Sequence, residues 1–406
     1  MKDTCAVILA GGKGTRLDPL TRDRAKPAVP IAGSSRLIDF PISEAAGALV
    51  PNILVLTQFE SYSLQSHIDD HFRPNVGYFQ DIRVQPPRQK WGEQEWYKGT
   101  ADAINHNWDL ITRGDPSRII VLSGDHLYNG FSLDEFLEFH DSKGGDLTIA
   151  ANRKPITPDI FEPNNEGKMV YPFGVIVADE KSGRIRDFQE KPEEPVSDLA
   201  SMGVYIFNTE ALGNWLHSGT DFGKDVIKAM HEEKRPIYTY EFDGYWEDVG
   251  SLNAYFNANM AFTQDNPPID LNQLSKSRRT AIRGSSLRPA SRIPMNGAYS
   301  LVPEGCEIHQ DATVRRCVLS PGTVIGPNAD LEDCIILGAS TTYDNGFCYV
   351  DDCTLKRTII DRGNRLRNVQ INGGLDVKGL PAEDRGTKYT MDKNANLTVI
   401  ARKAYS

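Results

Sequence analysis

Short apolar runs alternate with stretches of helical spacing through the first two thirds of the chain. Ala6–Ala10, Asn52–Thr57, Ile119–Leu122, Leu147–Ala151, Phe173–Val177 and Ala200–Phe207 suit strands buried on both faces of a sheet. Between them, Ser63–His71, Ala101–Leu110 and Ser251–Met260 read as helices, and Asp221 is placed to cap another that opens at Phe222. This is the βαβ alternation of an α/β fold, with a Rossmann-like, mixed but mostly parallel sheet. From Asp265 the pattern gives way to Pro, Ser and Arg without a sustained period. Beyond it apolar residues recur at every sixth position: Val302, Ile308 and Val314, then after a slip Leu319, Ile325, Leu331 and Leu337. Cys306, Ala312, Val318, Ala329 and Ile335 follow several of these four positions later, and Tyr349, Leu355, Ile360 and Leu366 resume the pattern after an insertion. A hexapeptide period predicts a left-handed parallel β-helix whose coils stack their apolar corners. The predicted division is a first domain over 1–264, a linker over 265–295 and the β-helix over 296–406.

Candidate chemistry gathers where the predicted strands end. The run to Ala10 passes directly into Gly11-Gly12-Lys13-Gly14-Thr15-Arg16-Leu17, which reads as strand, phosphate loop, helix. The glycines let backbone N–H groups turn toward an anion, and Arg16 and Lys26, the latter followed by Pro27, add fixed positive charge. The spacing is neither the dinucleotide fingerprint nor the Walker pattern, which argues against a dehydrogenase or a P-loop ATPase. Asp125 and Asp248 each close a predicted strand, and the carboxyl edge of an open sheet lines its ligand crevice. Two carboxylates there make a magnesium pair that leaves sites free for phosphate oxygens. Ahead of the helix at Ala101, Gly99 and Thr100 mark a turn that favours an anion or a base edge. Trp96 and Tyr97, just before it, are either core aromatics or the cover of a nucleobase. Glu190 and Lys191 sit side by side; on a strand they would face opposite ways unless the strand ends at Pro192. Arg36 and Asp39 fit a structural ion pair. His126 receives no role.

Composition narrows the ligand. Of 406 residues 39% are hydrophobic and 25% charged, as in globular domains with a sizeable core. A net charge of −10 gives no basic field for nucleic acid or an anionic membrane, so a phosphorylated ligand must be held by local cations. No apolar run approaches a bilayer span, and the first strand starts too near Met1 for a targeting peptide, so a cytoplasmic location is expected. The six cysteines form no C-x-x-C pair and read as free thiols rather than a zinc site.

Gly11 to Leu17, Lys26-Pro27, Gly124-Asp125, Glu190-Lys191-Pro192 and Asp248-Val249-Gly250 together resemble the sugar-1-phosphate nucleotidylyltransferases. Further wording resembles their glucose-1-phosphate adenylyltransferase (ADP-glucose pyrophosphorylase) branch: Lys26-Pro27-Ala28-Val29-Pro30, Arg36 to Phe40, Trp96-Tyr97-x-Gly99-Thr100-Ala101-Asp102-Ala103, Ser123 to Tyr128, Ala200 to Gly203 and Asp221 to Asp225. The resemblance implies transfer of AMP from ATP to α-D-glucose 1-phosphate, with Mg²⁺ as cofactor and pyrophosphate as second product. It implies that Leu9, Ala10, Gly11, Gly12, Gly14, Thr15, Tyr97, Gly99 and Thr100 bind the nucleotide, and that Arg16 and Lys26 contact phosphate. It further implies that Asp125 and Asp248 hold the metal, and that Glu190, Lys191, Ser201 and Gly174 bind the sugar phosphate. Sugar-phosphate or phosphate effectors and a homotetramer are expected on the same ground. Two alternatives stand beside it, a UDP-glucose or GDP-mannose pyrophosphorylase and a regulatory subunit that binds without turnover. Two departures from the family wording are Glu44, where Asn is usual, and a longer segment before Phe173-Gly174; both put the allosteric response in question.

Overall fold

The computed structural model describes residues 3–72, 80–87, 96–164, 166–271, 290–338, 347–373, 375–380, 386 and 388–402. Trp91–Glu95 of the aromatic segment and most of the expected linker therefore lie outside the described residues. The strands that frame the first domain are β1 (Thr4–Ala10), β2 (Asn52–Thr57), β3 (Asp81–Gln85), β4 (Arg118–Ser123), β5 (His126–Asn129), β6 (Leu147–Arg153), β7 (Gly174–Ala178), β8 (Ile185–Glu190), β9 (Leu199–Asn208), β10 (Ile237–Glu241) and β11 (Tyr245–Asp248). Nine of them form one sheet in the order β8-β7-β9-β4-β1-β2-β3, with β6 also on β9 and β10 on β6. Pairing is parallel around β1, with Ala6 beside Ile53 and Ile120, and antiparallel where β9 meets β4 and β6. Because β1, β2 and β4 run the same way, their carboxyl ends at Ala10, Thr57 and Ser123 open on one edge. The remaining two strands, β5 and β11, form a separate antiparallel ribbon that pairs Asp248 with His126.

Local chemistry moved several predicted boundaries. No α-helix follows the glycine loop; a single 3₁₀ turn, Thr15–Leu17, takes its place, since Pro19 lacks the N–H a continuing helix needs. The first helix is α1 (Asp39–Gly47), followed by α2 (Ser61–His71), which opens earlier than the expected Ser63. The helix expected from Ala101 to Leu110 is broken. α3 (Thr100–His106) stops at Asn107, whose side-chain amide donates to the carbonyl of Ala103 at 2.8 Å and the hydroxyl of Tyr97 at 2.9 Å. Residues 152–171, expected to be loop, extend β6 to Arg153 and include a two-residue hairpin, Glu162–Pro163 with Met169–Val170. Asp221 caps the helix Phe222–Ile227 as expected, accepting from the backbone N–H groups of Gly223 and Lys224.

The second domain is a left-handed β-helix of parallel strands. Apolar residues stack from coil to coil, Val318 on Ile335 on Ile359 on Val399 and Val314 on Leu331 on Leu355. One expected corner is off by a residue. Val350, not Tyr349, points inward above Ile325 and below Leu366, while the Tyr349 ring lies outside under the Arg365 guanidinium, 4.5 Å from its centroid. At the start of the solenoid Leu301 rather than Val302 is fully buried. Ser291–Met295, inside the stretch read as linker, is a strand at the sheet edge, where Pro294 costs no ladder bond. Val318, Ile335 and Ile359 share one apolar core with Ala6, Ile8 and Phe40 of the first domain. Among the described residues no helix is long and apolar enough to cross a membrane.

Candidate active site

A cavity of about 540 Å³ opens at the carboxyl edge of the sheet. Its floor carries Asp125, just beyond β4, and the position of that carboxylate depends on Gly124. The Gly124 N–H donates to the Leu9 carbonyl at 2.9 Å, and a methyl there would come within 2.9 Å of the same oxygen and 3.2 Å of Pro27. The missing side chain thus lets β4 finish against β1 and the Lys26 segment. Asp248 comes from the ribbon and faces Asp125 across it. Lys26 Nζ stands 2.5 Å from Asp125 Oδ2 and 3.8 Å from Asp248 Oδ1. Gly14 holds the root of that lysine: its φ of +65° is open to glycine at no steric cost, and a methyl would meet Lys26 Cβ at 2.9 Å.

Opposite charges decide the protonation of this cluster. Burial works against the Lys26 ammonium, but Asp125 and Asp248 outweigh it and hold its pKa above the ordinary lysine value. Burial likewise works against the Asp125 carboxylate, and Lys26 above all, with the hydrogen bonds from Lys26 and Ser123, outweighs it and keeps the acid ionised far below its usual range. His126 lies close to both acids, with Nε2 3.7 Å from Asp125 Oδ1 and 3.8 Å from Asp248 Oδ1. The Trp246 indole donates to its Nδ1 at 3.3 Å, which puts the proton of the neutral ring on Nε2, facing the carboxylates.

Asp125, His126 and Asp248 bring ligand atoms within 4.8 Å of one another. In the tautomer set by Trp246 the imidazole has no lone pair to give at Nε2, so the donors are carboxylate oxygens. Asp248 Oδ1 is buried without a hydrogen-bond partner among the described residues. An orphaned oxygen between two acids fits a hard divalent cation.

The predicted residues divide into those the cavity gathers and those it does not. Leu9, Ala10, Gly11, Gly12, Tyr97, Gly99 and Thr100 line it together with Gly174, Glu190, Lys191 and Ser201. Glu190 and Lys191 face the same space because β8 ends at Glu190 and Lys191 turns to φ +47°, a left-handed conformation that costs a side chain about 1–2 kcal/mol. Gly14, Thr15 and Arg16 do not line it. Arg16 reaches instead to Glu162 on the short hairpin and pairs with its carboxylate. The cation that the loop does present is Lys13.

Two expectations about the aromatic segment change. The N-terminus of α3 is not free for a ligand, since the Thr220 carbonyl accepts from Ala101 and Asp102 at 2.9 and 3.1 Å. A methyl on Gly99 would overlap that carbonyl, so the glycine serves this close approach. Tyr97 is buried with its hydroxyl bonded to Asn107, whereas Trp96 is 61% exposed and outside the cavity lining. His126, Lys13, Gln58, Tyr205 and Trp246 also line the cavity and were given no role from sequence. Their signal was their position, each within a few residues of a strand end or the glycine loop.

The nucleotidyl transferase family model matches residues 5–265, and the GlmU-like C-terminal hexapeptide model matches residues 291–400. Among curated relatives, the glucose-1-phosphate adenylyltransferase of Acetivibrio thermocellus is 36% identical over 99% of this chain and 90% of its own. That of Clostridium acetobutylicum is 40% identical over 80% of this chain and 83% of its own. The enzyme of the same name from Rhodopirellula baltica is 35% identical over 98% and 88%.

Proposed function

The chain belongs to the nucleotidyl transferase family, and on that premise we propose that it is a glucose-1-phosphate adenylyltransferase acting on ATP and α-D-glucose 1-phosphate. A phosphate oxygen of the sugar attacks the α-phosphorus of ATP, one P–O bond forms as the α–β bond breaks, and ADP-glucose and pyrophosphate leave. The observation that carries this reading is the Lys26 ammonium lying 2.5 Å from Asp125 and 3.8 Å from Asp248 in one cavity that the glycine loop, Glu190 and Lys191 also line.

Each group has work that its placement supports. Gly11 and Gly12 admit the phosphates close to the backbone, and Lys13 and Lys26 neutralise charge on the nucleotide. Lys191 holds the phosphate of the sugar and Glu190, with Ser201, its hydroxyls. Asp125 and Asp248 would hold Mg²⁺, which when bound supplies Lewis-acid neutralisation of the phosphate oxygens. The protein itself brings nucleophile and electrophile together in a fixed field, which is how phosphoryl-group transfer is chiefly accelerated. Arg16, held by Glu162 at the rim, reaches pyrophosphate once that pair opens.

Pyrophosphate release tests the reading: purified protein with glucose 1-phosphate and Mg²⁺ is given ATP, UTP, GTP or dTTP in turn. Release with ATP, abolished by EDTA, is the expected result. Faster release with UTP or GTP would assign a sister pyrophosphorylase, and ATP binding without release with any nucleotide would assign a regulatory subunit.

A further inference from the structure

Glu190 closes β8 directly across from Gly174 on β7, and on its other side stands the first turn of the helix Phe222–Ile227. The carboxylate fills room that two side chains leave vacant. A methyl on Gly174 would meet Phe188 Cζ at 2.8 Å and Glu190 Oε2 at 3.2 Å; one on Gly223 would overlap that oxygen and come within 2.6 Å of Cδ. Gly223 has no left-handed φ, so its backbone is one that other residues can adopt, and the turn does not call for glycine. What calls for it is the carboxylate.

We propose that Gly223 is a positioning residue for the sugar phosphate: its missing side chain admits the Glu190 carboxylate to the place from which it meets the sugar hydroxyls, and thereby sets which glycosyl 1-phosphates are accepted. This rests on the reading above that Glu190 contacts the sugar. Gly223 lines the cavity with backbone only, and the role proposed for it runs through the Glu190 carboxylate. The atom it would displace is the far end of a flexible side chain, so an added methyl moves the carboxylate and leaves the helix in place. Asp221 beneath the turn continues to accept from the N–H of residue 223 at 3.0 Å, which needs no change of backbone. Displacing a charged hydrogen-bonding group from a ligand weakens binding by about tenfold or more.

Steady-state kinetics of Gly223→Ala, Glu190→Ala and the double variant test the proposal, alongside thermal melts. Gly223→Ala is expected to raise KM for glucose 1-phosphate about tenfold or more, to leave KM for ATP nearly unchanged, and to narrow the preference for glucose 1-phosphate over galactose or mannose 1-phosphate. The double variant is expected to match Glu190→Ala, since the methyl then meets an empty space. Multiplied losses in the double variant, or equal rises in both KM values, would overturn the proposal. If Gly223→Ala alone does not fold, the double variant decides: recovery of folding with the kinetics of Glu190→Ala supports the role, and continued misfolding refutes it. Glu190→Ala with an unchanged KM for glucose 1-phosphate would bring down the role of Glu190 and this inference together. A raised KM there with a normal Gly223→Ala would bring down this inference alone.

Discussion

Asp248 holds a buried carboxylate oxygen that has no hydrogen bond among the described residues and stands 3.8 Å from the Lys26 ammonium. Such a charge is kept against its desolvation cost, and active sites commonly trade stability for function in this way. Asp248→Asn should therefore lower kcat by roughly 100-fold or more while the melting temperature stays level or rises. A clear fall in melting temperature would show that the carboxylate is a structural partner of Lys26 instead. At this scale the two acids and Lys26 were legible because each is marked in the sequence, the acids by closing an apolar run and the lysine by its proline. The destinations of long side chains were not. Arg16 pairs with a residue 146 positions away, and the Trp246 that fixes the His126 tautomer is 120 positions away. Neither separation leaves a local signature, and a lone histidine beside a strand gives no hint of its partner.

At the scale of elements, α1 carries the family departure noted in the sequence. Phe40, Ile42, Ala45 and Ala46 bury its inner face, and Glu44 lies among them, partly buried. Burial pushes its carboxyl up to about 7, from an ordinary value of 4.5. Its charge also bears on Tyr128, whose buried hydroxyl has no hydrogen-bond partner among the described residues. The sign of the linkage follows. Between pH 4.5 and about 7 the unfolded chain has released this proton and the folded chain keeps it, so the folded state loses stability as pH rises through that window. The full effect is at most about 3 kcal/mol, a ceiling because Glu44 retains some contact with water. Glu44→Gln should flatten the difference in stability between pH 5 and pH 8 and leave the variant more stable than the parent at the upper end. Parallel denaturation profiles for the two proteins would refute this. Periodicity located β2 and α2 well, because their patterns are sustained. It overran α3, because a single side-chain amide at Asn107 competes for the backbone, and the helix read after the glycine loop stops at one turn ahead of Pro19.

Across the whole molecule, the period of six announced a solenoid, yet nothing in it told how the solenoid meets the sheet. Beside the shared apolar core, the junction holds an ion pair 337 residues apart in sequence: both carboxylate oxygens of Asp361 lie 2.7 Å from Arg24 Nη2, with the two side chains 0% and 2% exposed. Asp23, next in the chain, pairs with Arg402 at the far end of the β-helix. Arg24 is two residues from Lys26, so the β-helix grips the segment that carries the central cation of the site. Asp361→Asn leaves the buried arginine charge with only Asp23, 3.8 Å from its Nε, as counter-charge, a change that costs up to roughly 3–5 kcal/mol, whereas replacing both partners with apolar residues of similar volume is often close to neutral. The single variant should melt well below the parent, and Arg24→Met with Asp361→Leu should recover most of the loss. Activity separates support from positioning. If the grip also sets the place of Lys26, kcat of Asp361→Asn falls even far below its melting temperature, and the apolar double variant, stable but freed of the guanidinium–carboxylate geometry, recovers stability more fully than turnover. Full turnover in both variants at low temperature would mean that the β-helix steadies the fold without aligning the site.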